Sequence, residues 1–428
     1  MLLDRKPRTV GVESCGRFAL AGGGHTQMSG HEETPRAPRA APLNSGGGSA
    51  FTRSAFLRRA AVTGVGAATV GTALQACGSG GNTVAAPPPS SGGSGAVKPN
   101  IGAKYRNKTI GFAILTSADE NISNILRWCK SIAKEAGLGW TIVDTDTMGS
   151  VPTAQSTLTA FITRKVDGII MIGIGASQME PQLAKAKAAN IPTVGSYTFA
   201  PLGSSIGNDY GLPPDGDASL VGNYLIADQL QRRPSGKIKV AMLDFTADVI
   251  QARRFAFKGL IQQQPRFEIV AEHYSISLTN TASDSSAAAR TILQANPDIN
   301  AIWCNYPPIA VPAASGVAQS GKTDVQVYGH IANTAGVEAL RGGQSPLVAT
   351  SWIDIPYVSY TLVGQILQGL SGKQLDRKLS VTQPDPAVVF DAGNVDQQVP
   401  KGTKAGDWMF GGGTYRSAFM ASWNKLYA

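Results

Sequence analysis

Few of this chain's residues are grouped for covalent or metal chemistry. It holds four cysteines and four histidines in 428 residues. Cys77 stands at the end of an apolar run, and Cys129 and Cys304 fall in apolar periodic segments, where a buried free thiol is the simplest reading. Only His273 and His330 lie beyond residue 77, and no Cys/His cluster has zinc spacing. No stretch is read as a Gly-x-Ser-x-Gly elbow or as a phosphate-cradling Gly-Lys-Ser/Thr loop, and Gly173-Ile-Gly175 is too short a glycine signal to count. An enzyme is therefore the least favoured class, with no metal and no cofactor expected. Reversible recognition and a modified thiol are the chemistry left to find.

The stretch before Cys77 has a recognisable layout. Arg53, Arg58 and Arg59 form a basic start, residues 60–74 are apolar and uncharged, and Leu74-Gln75-Ala76-Cys77 follows. Basic, apolar, then small residues before a cut is the plan of a secretory signal, here over residues 51–76. The run is shorter than the roughly 20 residues a membrane-spanning helix needs, and Gly64, Gly66 and Gly71 weaken it further. Leu74-Gln75-Ala76-Cys77 resembles the lipobox of bacterial lipoproteins, which implies lipidation of Cys77 and a membrane-anchored protein of the periplasm or cell surface. A plain signal with a cysteine near its end is the alternative. Thr52-Arg53-Ser54-Ala55-Phe56-Leu57-Arg58 resembles a twin-arginine signal with Ser54 in one arginine position, so the export route stays open. Residues 1–50 show little apolar periodicity and are set aside as a leader or misplaced start.

Nine Lys/Arg and four Asp/Glu precede Cys77, so the net charge of +9 for the whole chain falls to about +4 from Cys77 onward. Spread over so long a chain, that is no nucleic-acid footprint. Residues 77–104, with Pro87-Pro88-Pro89 and Ser90-Ser91-Gly92-Gly93, read as a flexible linker that cannot bury a core.

Beyond the linker, short apolar runs alternate with helical periodicity. Thr109–Leu115 reads as a buried strand, and Ile122, Ile125, Cys129 and Ile132 share one face of the next helix, with a capping box over Ser117–Glu120. Strands Trp140–Val143, Gly168–Ile174 and Ile191–Gly195 complete a first set. The pattern restarts with a helix near Ser219–Leu230, then strands Lys237–Phe245, Phe267–Tyr274, Ala301–Cys304, Val325–Tyr328 and Leu347–Ser351, with helices between them, one of them over Ala287–Leu293. Apolar strands separated by amphipathic helices indicate parallel sheets covered on both faces. Two such units give an α/β fold of two lobes, with ligands expected beyond the carboxyl ends of the strands.

The stretch from Lys108 to Asp391 resembles the type I periplasmic binding proteins, the ribose/galactose-type sugar-binding family. Lys108-Thr-Ile-Gly-Phe-Ala-Ile114, Lys165-Val-Asp-Gly-Ile-Ile-Met171, Ala189-Asn-Ile-Pro-Thr-Val194, Arg254 five residues before Gly259, and Asn296-Pro-Asp-Ile-Asn-Ala-Ile302 carry the resemblance. It implies two Rossmann-like lobes joined by a three-strand hinge near Asn208, Asp354 and Asp385, closing on a small molecule and delivering it to an ABC permease. On that plan residues 105–208 and 355–385 form the N-lobe and residues 209–354 the C-lobe, with 386–428 a C-lobe return and C-terminal extension. In that extension Tyr415, Phe419 and Trp423 share a helical face suited to packing on a lobe.

Carried over residue by residue, the resemblance points to Asp119, Asn121, Tyr197, Arg254, Tyr306, His330, Trp352 and Asp354 as ligand contacts. The ordinary readings beside these are helix capping for Asp119, a surface or interlobe ion pair for Arg254, a loop residue for His330 and core packing for Trp352. Tyr197-Thr198 stands where the family commonly has Asp-Arg. Tyr306-Pro307-Pro308 replaces an Asn-Asp, and Gly329-His330-Ile331 replaces an Asp. Sugar is thus favoured by the family and not by these residues. A receptor presenting its ligand to a membrane sensor or chemoreceptor is the alternative. A lac-repressor-type effector domain would need a DNA-binding helix-turn-helix where the signal and linker stand.

Overall fold

The computed structural model describes residues 99–428, apart from residues 202, 246 and 247. Cys77, the signal and the leader lie outside the described residues, as does residue 78 to residue 98 of the linker. The N-lobe opens with β1 (Thr109–Ile114), α1 (Glu120–Glu135), β2 (Thr141–Asp146), α2 (Val151–Thr163), β3 (Gly168–Ile172), α3 (Glu180–Ala188), β4 (Thr193–Ser196) and β5 (Asn208–Asp209). The C-lobe runs through α4 (Pro214–Arg232), β6 (Ile238–Phe245), α5 (Asp248–Gln262), β7 (Phe267–Ile276), α6 (Thr281–Ala295), β8 (Ala301–Cys304), α7 (Pro307–Gln319), β9 (Gln326–Gly329), α8 (Thr334–Gly342) and β10 (Leu347–Ile353). After it come α9 (Ile355–Leu370), α10 (Leu379–Thr382), β11 (Ala387–Asp391), α11 (Val395–Gln398) and α12 (Tyr415–Tyr427).

Each lobe is one doubly wound sheet. The N-lobe order is β2-β1-β3-β4-β5, all parallel. The C-lobe order is β11-β10-β9-β8-β6-β7, parallel except for β11 against β10. β6 to β10 thus repeat the winding of β1 to β5, as the restart of the sequence pattern predicts. Every residue of β3 and β8 is buried, because helices cover both faces. Gly111 is needed where α2 crosses β1, since a Cβ there would stand 2.6 Å from the Phe161 ring. Cys129 and Cys304 are buried free thiols in separate cores.

Local signals misplaced some boundaries. Asp119, not Ser117, caps α1, accepting the backbone N–H groups of Asn121 and Ile122 at 2.8 and 3.3 Å. α6 starts at Thr281, earlier than its apolar period shows, because its first turn is the polar run Thr281-Ala-Ser-Asp284.

The chain passes between the lobes after β5, at Asp354 between β10 and α9, and beside Asp385 between α10 and β11. α9 packs on α1, β3 and β4 of the N-lobe. The C-terminal extension then makes a fourth passage. Trp408 sits in the C-lobe core, 5.6 Å from the Trp352 ring and 5.4 Å from that of Phe390. A few residues later α12 lies on α9, with Tyr415 and Phe419 edge-on to Tyr357 at 5.0 and 5.4 Å. Phe419 also stacks on Tyr360, and Trp423 approaches the Gly364 backbone.

Asp354 holds this passage in place. Its carboxylate caps α9 through Tyr357 N at 2.9 Å and accepts Phe410 N and the Tyr415 hydroxyl, both at 2.7 Å. Asp354→Ala would leave three donors without their acceptor, costing about 2–4 kcal/mol from a lost cap and orphaned donors. Urea denaturation should show this as a lower midpoint, with Tyr415→Phe losing about 1 kcal/mol.

Candidate functional site

The loops after β1 and β4 face α5 and the loops after β8 and β9 across the space between the lobes, and the lobes meet across it. The side-chain amide of Asn121 donates to Ile331 O of the C-lobe at 3.1 Å. Glu120 accepts Thr334 N and its hydroxyl at 3.0 and 2.6 Å, again from lobe to lobe. The Asp119 carboxylate and Tyr306 hydroxyl face each other, and burial pushes the Asp119 carboxyl up against the pull of its donors. Between these contacts lies a cavity of about 70 Å³, several times the roughly 10–15 Å³ that one water occupies.

The backbone around this cavity is unusual. Tyr197, Phe199 and Ile331 all line it, with φ of +56°, +48° and +47°. Such left-handed conformations are disfavoured for bulky and β-branched side chains, and strain of this kind collects at functional sites. Tyr197 donates its hydroxyl to Asp385 Oδ2 at 3.3 Å. Burial raises the Asp385 carboxyl to about 7.

On the C-lobe side, Tyr306 stacks on Phe245 at 5.3 Å. Arg253 joins the wall from α5, its guanidinium bonded to Asn305 O and paired with Asp217 at 2.9 Å. Asp217 also meets His330 Nδ1 at 3.0 Å. Burial alone would raise the Asp217 carboxyl, but His330 and the Arg253 guanidinium beside it overcome that and hold it well below the carboxylate range. Burial lowers the His330 imidazole, against the attraction of Asp217.

Four of the expected contacts, Asp119, Asn121, Tyr197 and Tyr306, line this cavity. The other four lie elsewhere. Arg254 turns to Asp244 at 3.2 Å and to Glu272 at 2.5 Å, and its neighbour Arg253 takes the cavity wall. His330 is buried behind that wall against Asp217 and the Trp303 ring. Trp352 is a core side chain, boxed by Phe390 and Trp408. Asp354 is spent on α9 and the C-terminal passage. Helical spacing could not separate the two arginines, since the buried residues Ile250, Phe257 and Ile261 define a face that passes through both positions.

Two short motifs passed over in the sequence reading have the wrong surroundings. Gly203-Ser-Ser-Ile-Gly207 has elbow spacing but leads into a strand, and Ser204 and Ser205 both bond the Glu180 carboxylate at 2.9 Å. Gly316-Val-Ala-Gln-Ser-Gly-Lys-Thr323 has phosphate-loop spacing. A phosphate cradle runs from strand to helix N-terminus, whereas this segment runs from the end of α7 toward β9. Lys322 donates to Pro297 O at 2.9 Å, and Gly316 is needed because a Cβ would meet Ser286 O at 2.4 Å. Among the described residues no group of His, Cys, Asp and Glu could hold a metal ion.

Residues 110–374 match the family model described as a periplasmic binding protein domain. The chain belongs to that family. Solved structures with the same fold include an ABC sugar transporter subunit from Rhodobacter sphaeroides 2.4.1, 21% identical, with a TM-score of 0.59 over 67% of this chain and 99% of that one. An ABC transporter solute-binding protein from Mycobacterium smegmatis with bound glycerol is 21% identical, with a TM-score of 0.60 over 70% of this chain and 99% of that one. One from Agrobacterium vitis with bound allitol is 20% identical, with a TM-score of 0.61 over 68% of this chain and 98% of that one. No curated protein matches in sequence. This periplasmic binding protein therefore shares the relatives' fold.

Asp385, raised by burial from an ordinary 3.8 to about 7, holds its proton more tightly folded than unfolded. Stability from this group is full below pH about 4 and is lost as pH rises toward about 7. Asp385→Asn should therefore gain on the wild type from pH about 4 to about 7 and level off above that, read as the difference in melting temperature.

Proposed function

We propose that this periplasmic binding protein is an extracytoplasmic solute-binding lipoprotein of an ABC importer. It closes its lobes on a small sugar- or polyol-like solute and hands it to the permease. The observation that carries this reading is the cavity between the lobes, bridged by the bonds of Asn121 to Ile331 and of Glu120 to Thr334. A solute touching both walls finds its full set of contacts only when the lobes are shut, so binding shifts the population toward the closed form. That form is the signal a permease reads. The glycerol and allitol bound by relatives support the ligand class. Among the described residues no helix is long and apolar enough to cross a membrane, and lipidation of Cys77 would supply the attachment.

A thermal-shift screen of the protein from Cys77 onward against sugars, polyols, nucleosides and amino acids tests capture. A true ligand at 100 times its Kd adds about 2.7 kcal/mol of stability. Arg253→Ala should weaken such a ligand roughly ten- to hundredfold, the worth of a lost charged hydrogen bond. Arg254→Ala, outside the cavity, should leave affinity within about twofold; equal losses in both would refute the assigned wall. Cys77→Ser in the expressing cell should move the protein from the membrane fraction to the soluble one.

A further inference from the structure

The walls of the cavity are far poorer in polar groups than a sugar requires. Eleven of its sixteen lining residues carry no side-chain polar atom. Ile122, Ile125 and Ile172 of the N-lobe face Ile250, Ile331 and Ile353 of the C-lobe. The five polar side chains are largely committed already. Asn121 spends one amide N–H on Ile331, Tyr197 its hydroxyl hydrogen on Asp385, and Asp119 one oxygen on its own helix. Tyr306 faces Asp119. Arg253 is paired with Asp217, but its Nε is buried without a hydrogen-bond partner.

A solute entering here meets two groups without partners, Arg253 Nε and the Tyr306 hydroxyl, with the spare lone pairs of Asp119 and the Asn121 amide oxygen beside them, so it can satisfy about two oxygens. Each further hydroxyl would be buried without a partner, at a loss of roughly ten- to hundredfold in affinity. Charge is excluded from both sides. An anion meets the Asp119 carboxylate and, on the facing wall, an arginine that Asp217 already neutralises, and a cation meets the positive end of α1.

We infer that the cavity takes an uncharged, oxygen-poor solute, a compact carbon body with one or two hydroxyl oxygens at one end, such as a short diol or deeply deoxygenated polyol. This rests on the capture reading above and narrows it.

Matched probes of equal chain length test it by calorimetry on the wild-type protein. They are 1,2-propanediol against glycerol, 1,2-butanediol against erythritol, 1,2-pentanediol against xylitol, and 1,2-hexanediol against sorbitol. From four carbons on, the diol should bind tighter than its polyol partner, gaining about fourfold per methylene until the cavity is full, with a negative heat-capacity change. Ile125→Ala should move the best chain length upward; unchanged affinities and optimum would place binding elsewhere and overturn the inference. Tighter polyols at every length would overturn it while leaving solute capture intact. No binding by any probe, together with an empty sugar screen, would sink both.

Discussion

Buried carboxylates stand at the points where the backbone passes between the lobes, and the architecture hangs on them. Asp209 closes β5 and accepts the backbone N–H groups of Thr198 and Ala200 at 3.1 and 3.2 Å. Asp354 ties α9 to the C-terminal passage, and Asp385 receives the Tyr197 hydroxyl. Burial raises all three carboxyls, Asp354 to about 6 and Asp385 to about 7. A carboxylate out of water is unfavourable unless donors surround it. Its acceptance of several donors at once suits it to a point where separate segments must meet.

The same economy of polar groups shapes the cavity. Arg253, Asp217 and His330 form a buried set that neutralises itself before any solute arrives. The cavity wall therefore offers shape and apolar surface more than charge. Positive φ at Tyr197, Phe199 and Ile331 presents three bulky side chains to one small volume. The energy for holding them so comes from the sheets behind, whose strands β3 and β8 are buried on both faces.

Much of the fold was legible in the sequence because parallel strands covered on both sides are written as unbroken apolar runs. The strands read at Gly168–Ile174 and Ala301–Cys304 are found for that reason, the first ending at Ile172. The site was harder to read. Arg253 and Arg254 are neighbours on a helix whose buried face admits either. Trp352 stood where a stacking ring would, and only the distant Trp408 shows it to be core. The isoleucines of the cavity look in sequence like any core residue, since periodicity reports burial and says nothing of an empty space beside it. The family resemblance marked Asp385 as a crossing point, but its tie to Tyr197, 188 residues away, was not visible.

The fourth passage, from Trp408 through Phe410 to α12, bears on the unliganded state. Each covalent crossing between two bodies removes arrangements that they could otherwise explore. With Asp354 pinning this extra strap beside the hinge, the open ensemble is narrower than three connections would leave it. Less orientational freedom then disappears when the lobes shut. On the proposed capture, that saving in disorder would add to what so apolar a wall can give.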